Sequence, residues 1–196
     1  MDRSERALNG FRGALSRWVI SPLQGVTFRE WYRIVADPRL TIQPRYWPRA
    51  LATGLGSVTN SLQARHEERR FGARIRSIEV EAPVFILGHY RNGTTHLHNL
   101  LSVDPRFGFA NYYQATFPAT FLTSERFGAR FGFLALSKRP QDNVAMGIEV
   151  PAEDELALCT QTLLSPHMGW HFPQAESHYR KYLDLYSLSV QPHPLK

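Results

Sequence analysis

Residues 83–101 read Pro-Val-Phe-Ile-Leu-Gly-His-Tyr-Arg-Asn-Gly-Thr-Thr-His-Leu-His-Asn-Leu-Leu, and no other stretch restricts the fold as strongly. Val84 to Leu87 is a short, unbroken apolar run bounded by turn signals. Such a run predicts a fully buried strand in a parallel sheet. Gly88 ends it, and Gly93 stands on the far side of a tight loop. Thr94 and Thr95 then open a helix whose apolar face is Leu97, Leu100 and Leu101. A strand, a glycine-bearing loop and a helix N-terminus form an anion site, because free backbone N–H groups converge there and the helix dipole adds partial positive charge.

The spacing narrows the anion. Gly88-x-x-x-x-Gly93 matches the first half of the ATP/GTP phosphate loop, which continues Lys-Ser/Thr. Here Thr94 and Thr95 follow the glycine, so the nucleotide-gripping lysine is missing, and the cation in the loop is Arg91. No Asp at the end of an apolar strand stands out as a Mg²⁺ holder. These departures weigh against a P-loop kinase or NTPase. A tight turn without a ligand is the bland alternative, but Gly-x4-Gly-Thr-Thr directly after a buried strand is an uncommon accident.

A chain of 196 residues with 43% hydrophobic and 12% aromatic content can bury one core. No run approaches the roughly 18 apolar residues of a membrane span. The N-terminus holds Arg3, Arg6, Arg12 and Arg17 without an apolar core segment, unlike a secretory signal. The one cysteine, Cys159, excludes an internal disulfide framework, fits a reducing, cytoplasmic setting, and reads as a buried structural thiol among Leu156, Ala157 and Leu158. Residues 1–76 hold 14 arginines against 6 acids, a net +8, whereas residues 77–196 carry −2. A basic third could meet nucleic acid or an anionic membrane surface. Its arginines are scattered rather than clustered, and no nucleic-acid motif is present. A solvated surface is the simpler reading.

Hydrophobic periodicity predicts helices over Phe28–Val35, ending near Asp37-Pro38, and over Trp47 to about Arg70. In the second, Leu51, Leu55, Val58 and Leu62 share one stripe, and Glu67, Glu68, Arg69 and Arg70 read as surface charges. Ile75, Ile78 and Val80 lead into the central strand. Alternation through Phe107, Phe109 and Tyr112-Tyr113 suggests a second short strand. A helix follows over Phe117–Phe127, then an ordered loop over 128–151. The next helix starts at Pro151 with Glu153, Asp154 and Glu155 in its first turn, and Ser165-Pro166 breaks it. Gln174–Leu188 is the last helix. His96 and His98, two apart, cannot share a metal on a helix, and Pro166, Gly169 and Pro173 argue against a helical His167/His171 pair, so no metal site is expected. Tyr112, Tyr113, Phe117, Trp170 and Phe172 read as core or as walls of an acceptor pocket.

A phosphate cradle that lacks its lysine but has a basic residue before Gly-Thr-Thr resembles the 5′-phosphosulfate loop of the sulfotransferases that use 3′-phosphoadenosine 5′-phosphosulfate (PAPS). The likeness extends in order through residues 86–101, Asp104-Pro105, Arg139-Pro140-x-Asp142-Asn143, Glu153-Asp154-Glu155 with Ala157-Leu158, and Ser165-Pro166. It is closest to the bacterial-type members with a Gly-His-x-Arg-Ser-Gly-Thr-Thr loop and covers roughly residues 40–188. Asn92 stands where these have Ser or Thr. Family members run to about twice this length and carry, further on, an Arg…Ser pair for the 3′-phosphate, so the resemblance points to a chain truncated at the C-terminus.

The resemblance implies an α/β, three-layer, P-loop-like fold with a short parallel sheet. Residues 1–76 would be a helical N-terminal extension, and 77–196 the N-terminal part of the sulfotransferase domain. It implies transfer of a sulfuryl group from PAPS, without a metal, to a hydroxyl or amine on a small-molecule, glycan or lipid acceptor. Arg91, Asn92, Gly93, Thr94 and Thr95 would hold the donor, with Arg91 also at the leaving oxygen. Glu153, Glu155 and His89 are the candidates for the base and for contact with the sulfuryl group. Successive helical residues point about 100° apart, so the acids 153–155 cannot all face one site. A non-catalytic binding module that keeps only the loop is the alternative from outside enzymology.

Overall fold

The computed structural model describes residues 22–89, 92–130 and 147–183. Arg91, the Arg139–Asn143 motif, the N-terminal lead-in and the end of the last expected helix lie outside them.

The described chain is a helical assembly. Its helices are α1 (Phe28–Ala36), α2 (Trp47–Arg76), α3 (Thr94–Leu101), α4 (Tyr112–Thr116), α5 (Phe121–Arg130), α6 (Asp154–Thr162), α7 (His167–His171) and α8 (Glu176–Tyr179), with 3₁₀ turns at Pro22–Gly25, Pro44–Tyr46, Pro173–Ala175 and Arg180–Leu183. The core is one cluster. Ile34 and Leu40 at the end of α1 meet Cys159 and Leu163 of α6, and Met168, Phe172, Ala175 and Tyr179 beyond it. Leu163 adopts φ 61° and ends α6 in a left-handed turn, which folds α7 back onto that cluster.

Helix α2 is held by its polar face. Asn60 donates to the carbonyls of Gln24 and Val26 at 2.7 and 3.0 Å, and Ser61 Oγ accepts the Phe28 N–H at 2.8 Å, satisfying an orphan donor at the start of α1. Trp31 donates to the Ala50 carbonyl at 3.1 Å. Its ring lies over Gly54, where a Cβ would come within 2.7 Å of it, so this glycine permits a close helix contact. Glu67 is buried and accepts from Thr123 of α5. It is not the surface charge the sequence suggests.

Other expectations change as well. Helix α2 runs on to Arg76, so Ile75 belongs to it rather than to a strand approach. The strand expected near Tyr112 is a helix, because Asn111 and Gln114 form a capping box that starts a helical turn there. Only an isolated antiparallel bridge, Asn111 with Pro151, is present at that point. His167–His171 is helical despite Gly169, since Pro166 sits at the position before the first turn, where it costs no hydrogen bond. The last segment is a broken series of short turns rather than one helix.

Residues 78–89 are neither helical nor paired into a ladder among the described residues. Val84 is 62% exposed and Leu87 88%. The burial expected for this run needs hydrogen-bonded neighbours on both sides, and the described residues provide none.

Candidate functional site

The loop after residue 87 is built by its two glycines. Gly93 adopts φ 82°, ψ 12°, the left-handed region that a residue with a Cβ enters at a cost, and it is the N-cap of α3. A Cβ on Gly88 would come within 2.6 Å of the Thr94 methyl, so a larger residue at 88 would require that side chain to turn aside. Asn92 N–H donates to the His89 carbonyl at 3.3 Å, and Leu97 N–H reaches back to Gly93 at 3.0 Å, the first intrahelical bond. That leaves the N–H groups of Thr94, Thr95 and His96 ahead of the helical ladder, as at any helix start. Nothing lies within 4 Å of the side-chain direction of Gly93. Main-chain donors at the start of a helix are the kind of group that suits a phosphate.

Thr94 and Thr95 are half-buried, whereas Asn92 and His89 are exposed. The apolar side of α3 differs from expectation, since Leu97 and Leu100 are exposed. The ring of His98 meets Phe109 edge-on with centroids 6.3 Å apart.

The acids lie on another element. Glu153 is the N-cap of α6, with Asp154 and Glu155 in the first turn. Among the described residues, no hydrogen bond or ion pair joins Glu153 or Glu155 to the 88–95 loop. Both act instead on His167. Burial lowers the pKa of that imidazole, and the negative charges of Glu155 and Glu153 oppose the shift. His167 stacks on Trp170 at 4.4 Å, and its buried Nδ1 has no hydrogen-bond partner among the described residues. Sequence reasoning weighed His167 only as half of a metal pair. Its proximity to the acids depends on the left-handed turn at Leu163, a conformation that a leucine does not advertise. No cluster of metal-ligating side chains occurs among the described residues.

Of the aromatic residues expected in a core or pocket wall, Phe172 is buried and Trp170 is exposed. Tyr113 packs on Phe117 with centroids 5.0 Å apart. An open cleft of about 600 Å³ lies elsewhere, between the end of α1 and residues 162–164, with Tyr32, Leu40 and Tyr179 among its walls. Cys159 is fully buried, as the sequence suggests, and burial pushes its thiol up to about 11.

Over 175 residues, 87% of this chain, the sequence is 35% identical to the omega-hydroxy-beta-dihydromenaquinone-9 sulfotransferase Stf3 of Mycobacterium bovis. The same identity over the same span holds for Stf3 of Mycobacterium tuberculosis. The chain belongs to the sulfotransferase family. It spans about half, 45%, of the length of these curated relatives. No protein-family model and no solved structure matches it. The sulfotransferase resemblance carried by the Arg91–Thr95 loop and the motifs after it thus agrees with a comparison over 87% of this chain.

Proposed function

We propose that this chain is the donor-binding part of a PAPS-dependent sulfotransferase whose acceptor is a hydroxyl group on an apolar, lipid-like molecule. The observation that carries the reading is the 35% identity to Stf3 across nearly the whole chain. The relatives' name specifies a hydroxylated menaquinone, and an alcohol on such an apolar chain is the acceptor class we carry over. The P-loop-like α/β arrangement belongs to the same proposal, with residues 83–88 as a strand flanked by others.

PAPS supplies an activated sulfuryl group on a phosphate leaving group. The residues of this chain supply the rest. The N–H groups of Thr94, Thr95 and His96 hold the 5′-phosphate, and the two threonine hydroxyls add hydrogen bonds. Arg91 neutralises the charge that grows on the bridging oxygen as the S–O bond breaks. A base takes the acceptor proton as the new O–S bond forms, with attacking and leaving oxygens in line. Glu153 and Glu155 are the residues we assign to that proton, and His89 the one we place at the sulfuryl group.

A second reading has a specific observation behind it. The chain spans 45% of the length of its relatives, and among the described residues no hydrogen bond joins the acids to the loop; in this reading the chain binds nucleotide as a module without turnover.

Thermal-shift titration with adenosine 3′,5′-bisphosphate, and separately with ATP plus Mg²⁺, tests the donor site. A ligand at about 100 times its dissociation constant stabilises by roughly 2.7 kcal/mol. A metal-independent shift with the bisphosphate is expected. A shift with ATP and Mg²⁺ alone would move the site to the kinase class. Sulfuryl transfer from PAPS to a long-chain alcohol then separates the enzyme from the binding module.

A further inference from the structure

Helix α2 turns its apolar side away from the core. At about 100° per residue, Trp47, Leu51, Leu55, Val58 and Leu62 fall within roughly 80° of one another. All five are exposed, Leu55 by 75%. The buried positions are Gly54, Ser57, Asn60, Glu67 and Gly72, small or polar, and Asn60 and Glu67 among them bond to the rest of the molecule. The outward stripe therefore contributes nothing to the described core. An exposed apolar strip this long marks an interaction surface.

The charge around the strip identifies its partner. On the same line of the helix, one turn past Leu62, come Arg65 and Arg69, both exposed. Beside them opens a cleft of about 660 Å³ between α2 and α5, lined by His66, Arg70, Phe71, Thr123 and Arg126 with Leu122 and Phe127. Leu122 and Phe127 are themselves exposed, so the cleft has cationic walls and an apolar rim. The one exposed acid of α2, Glu68, is tied to Arg76. Apolar side chains ending in an aromatic at one end, with arginines and a cationic cleft at the other, match the boundary between acyl chains and anionic headgroups.

We infer that this face is a peripheral docking surface for an anionic lipid bilayer. The Trp47–Leu62 stripe enters the headgroup–acyl boundary, and Arg65, Arg69, Arg70 and Arg126 meet lipid phosphates. The inference stands on α2 and α5 and does not require the transferase reading.

Flotation with phosphatidylcholine vesicles, and with vesicles enriched in phosphatidylglycerol, tests it. The intact chain should float with the anionic vesicles and be released by salt, with a blue shift in tryptophan emission that is absent in Trp47→Phe. Leu55→Ser with Leu62→Ser should weaken partition about tenfold or more. Arg65→Glu with Arg69→Glu should weaken it at least roughly fivefold. These side chains are exposed, so circular dichroism and the bisphosphate thermal shift should be unchanged in every variant. No flotation with either vesicle, or flotation unaffected by the leucine changes, would overturn the inference. So would loss of self-association in the leucine variants without vesicle binding, which would assign the face to a second copy of the chain.

Discussion

Glu67, in the middle of α2, receives both the backbone N–H and the hydroxyl of Thr123, 56 residues further on, at 2.7 and 2.6 Å. One buried carboxylate thereby holds the first turn of α5 against α2. A carboxylate is well suited to this place, since it accepts hydrogen bonds and faces the positive end of the α5 dipole.

Glu67→Ala should destabilise the chain by about 1–3 kcal/mol, because it leaves the Thr123 N–H without its acceptor. For a domain of this size that lowers the melting temperature by roughly 2–4 °C per kcal/mol. Calorimetry or urea unfolding reads it. An unchanged midpoint would show that α5 is held by other contacts.

Gly93→Val should cost more than Gly88→Ala for bisphosphate binding. At Gly93 the barrier is the backbone, with φ at 82° and open space around the missing Cβ. A β-branched residue forced there costs about 1–3 kcal/mol or flips the loop. At Gly88 the obstacle is a single methyl of Thr94, which can rotate away. Equal affinity in wild type and Gly93→Val would remove the loop from the donor site.

Arg91→Ala should reduce turnover more than donor affinity, because its charge is needed as the leaving oxygen becomes negative. A variant with wild-type turnover would sink that role. Arg91→Lys should recover only part of the loss, having a point charge in place of a planar fork.

The chain should lose stability on acidification between about pH 6.5 and 4. Burial, then Arg49, then His167 lower His171 to about 4. A base whose folded pKa is depressed adds stability above its unfolded value of 6.5, and that contribution drains away as pH falls toward 4. His171→Gln should flatten this part of a urea-midpoint profile. Cys159 works at the other end. Raised from 9.0 to about 11, it stabilises below pH 9 and loses that contribution as pH rises to 11. Its thiol should resist iodoacetamide until the chain unfolds.

Local signals in the sequence were enough to place several elements. Phe28, Trp31, Tyr32 and Val35 mark α1, and the Asp37-Pro38 step stops it, as observed. The acids at 153–155 mark the start of α6. The glycine pair and the threonines mark the loop and the first turn of α3. Periodicity groups residues on a face without saying which way the face turns, so the outward leucines of α2 were not foreseen. Glu67 reads as a surface charge until Thr123 is brought beside it by the fold. Tyr112-Tyr113 looks β-like by composition, and the Asn111–Gln114 box overrides it. The charge of Glu155 bears on His167 across the left-handed turn at Leu163, a backbone angle that no local signal announces.

The segment from Glu79 to Gly88 has a practical consequence. Its main-chain donors and acceptors form no hydrogen bond to another described segment, and Val80, Val84, Phe85 and Leu87 are exposed. Such a ribbon is adhesive, since any extended chain of similar character can zip onto it. Recombinant chain should therefore form intermolecular β-structure as concentration rises, visible as an amide I band that the monomer lacks. Val84→Lys or Phe85→Lys would act as a gatekeeper and keep the protein dispersed.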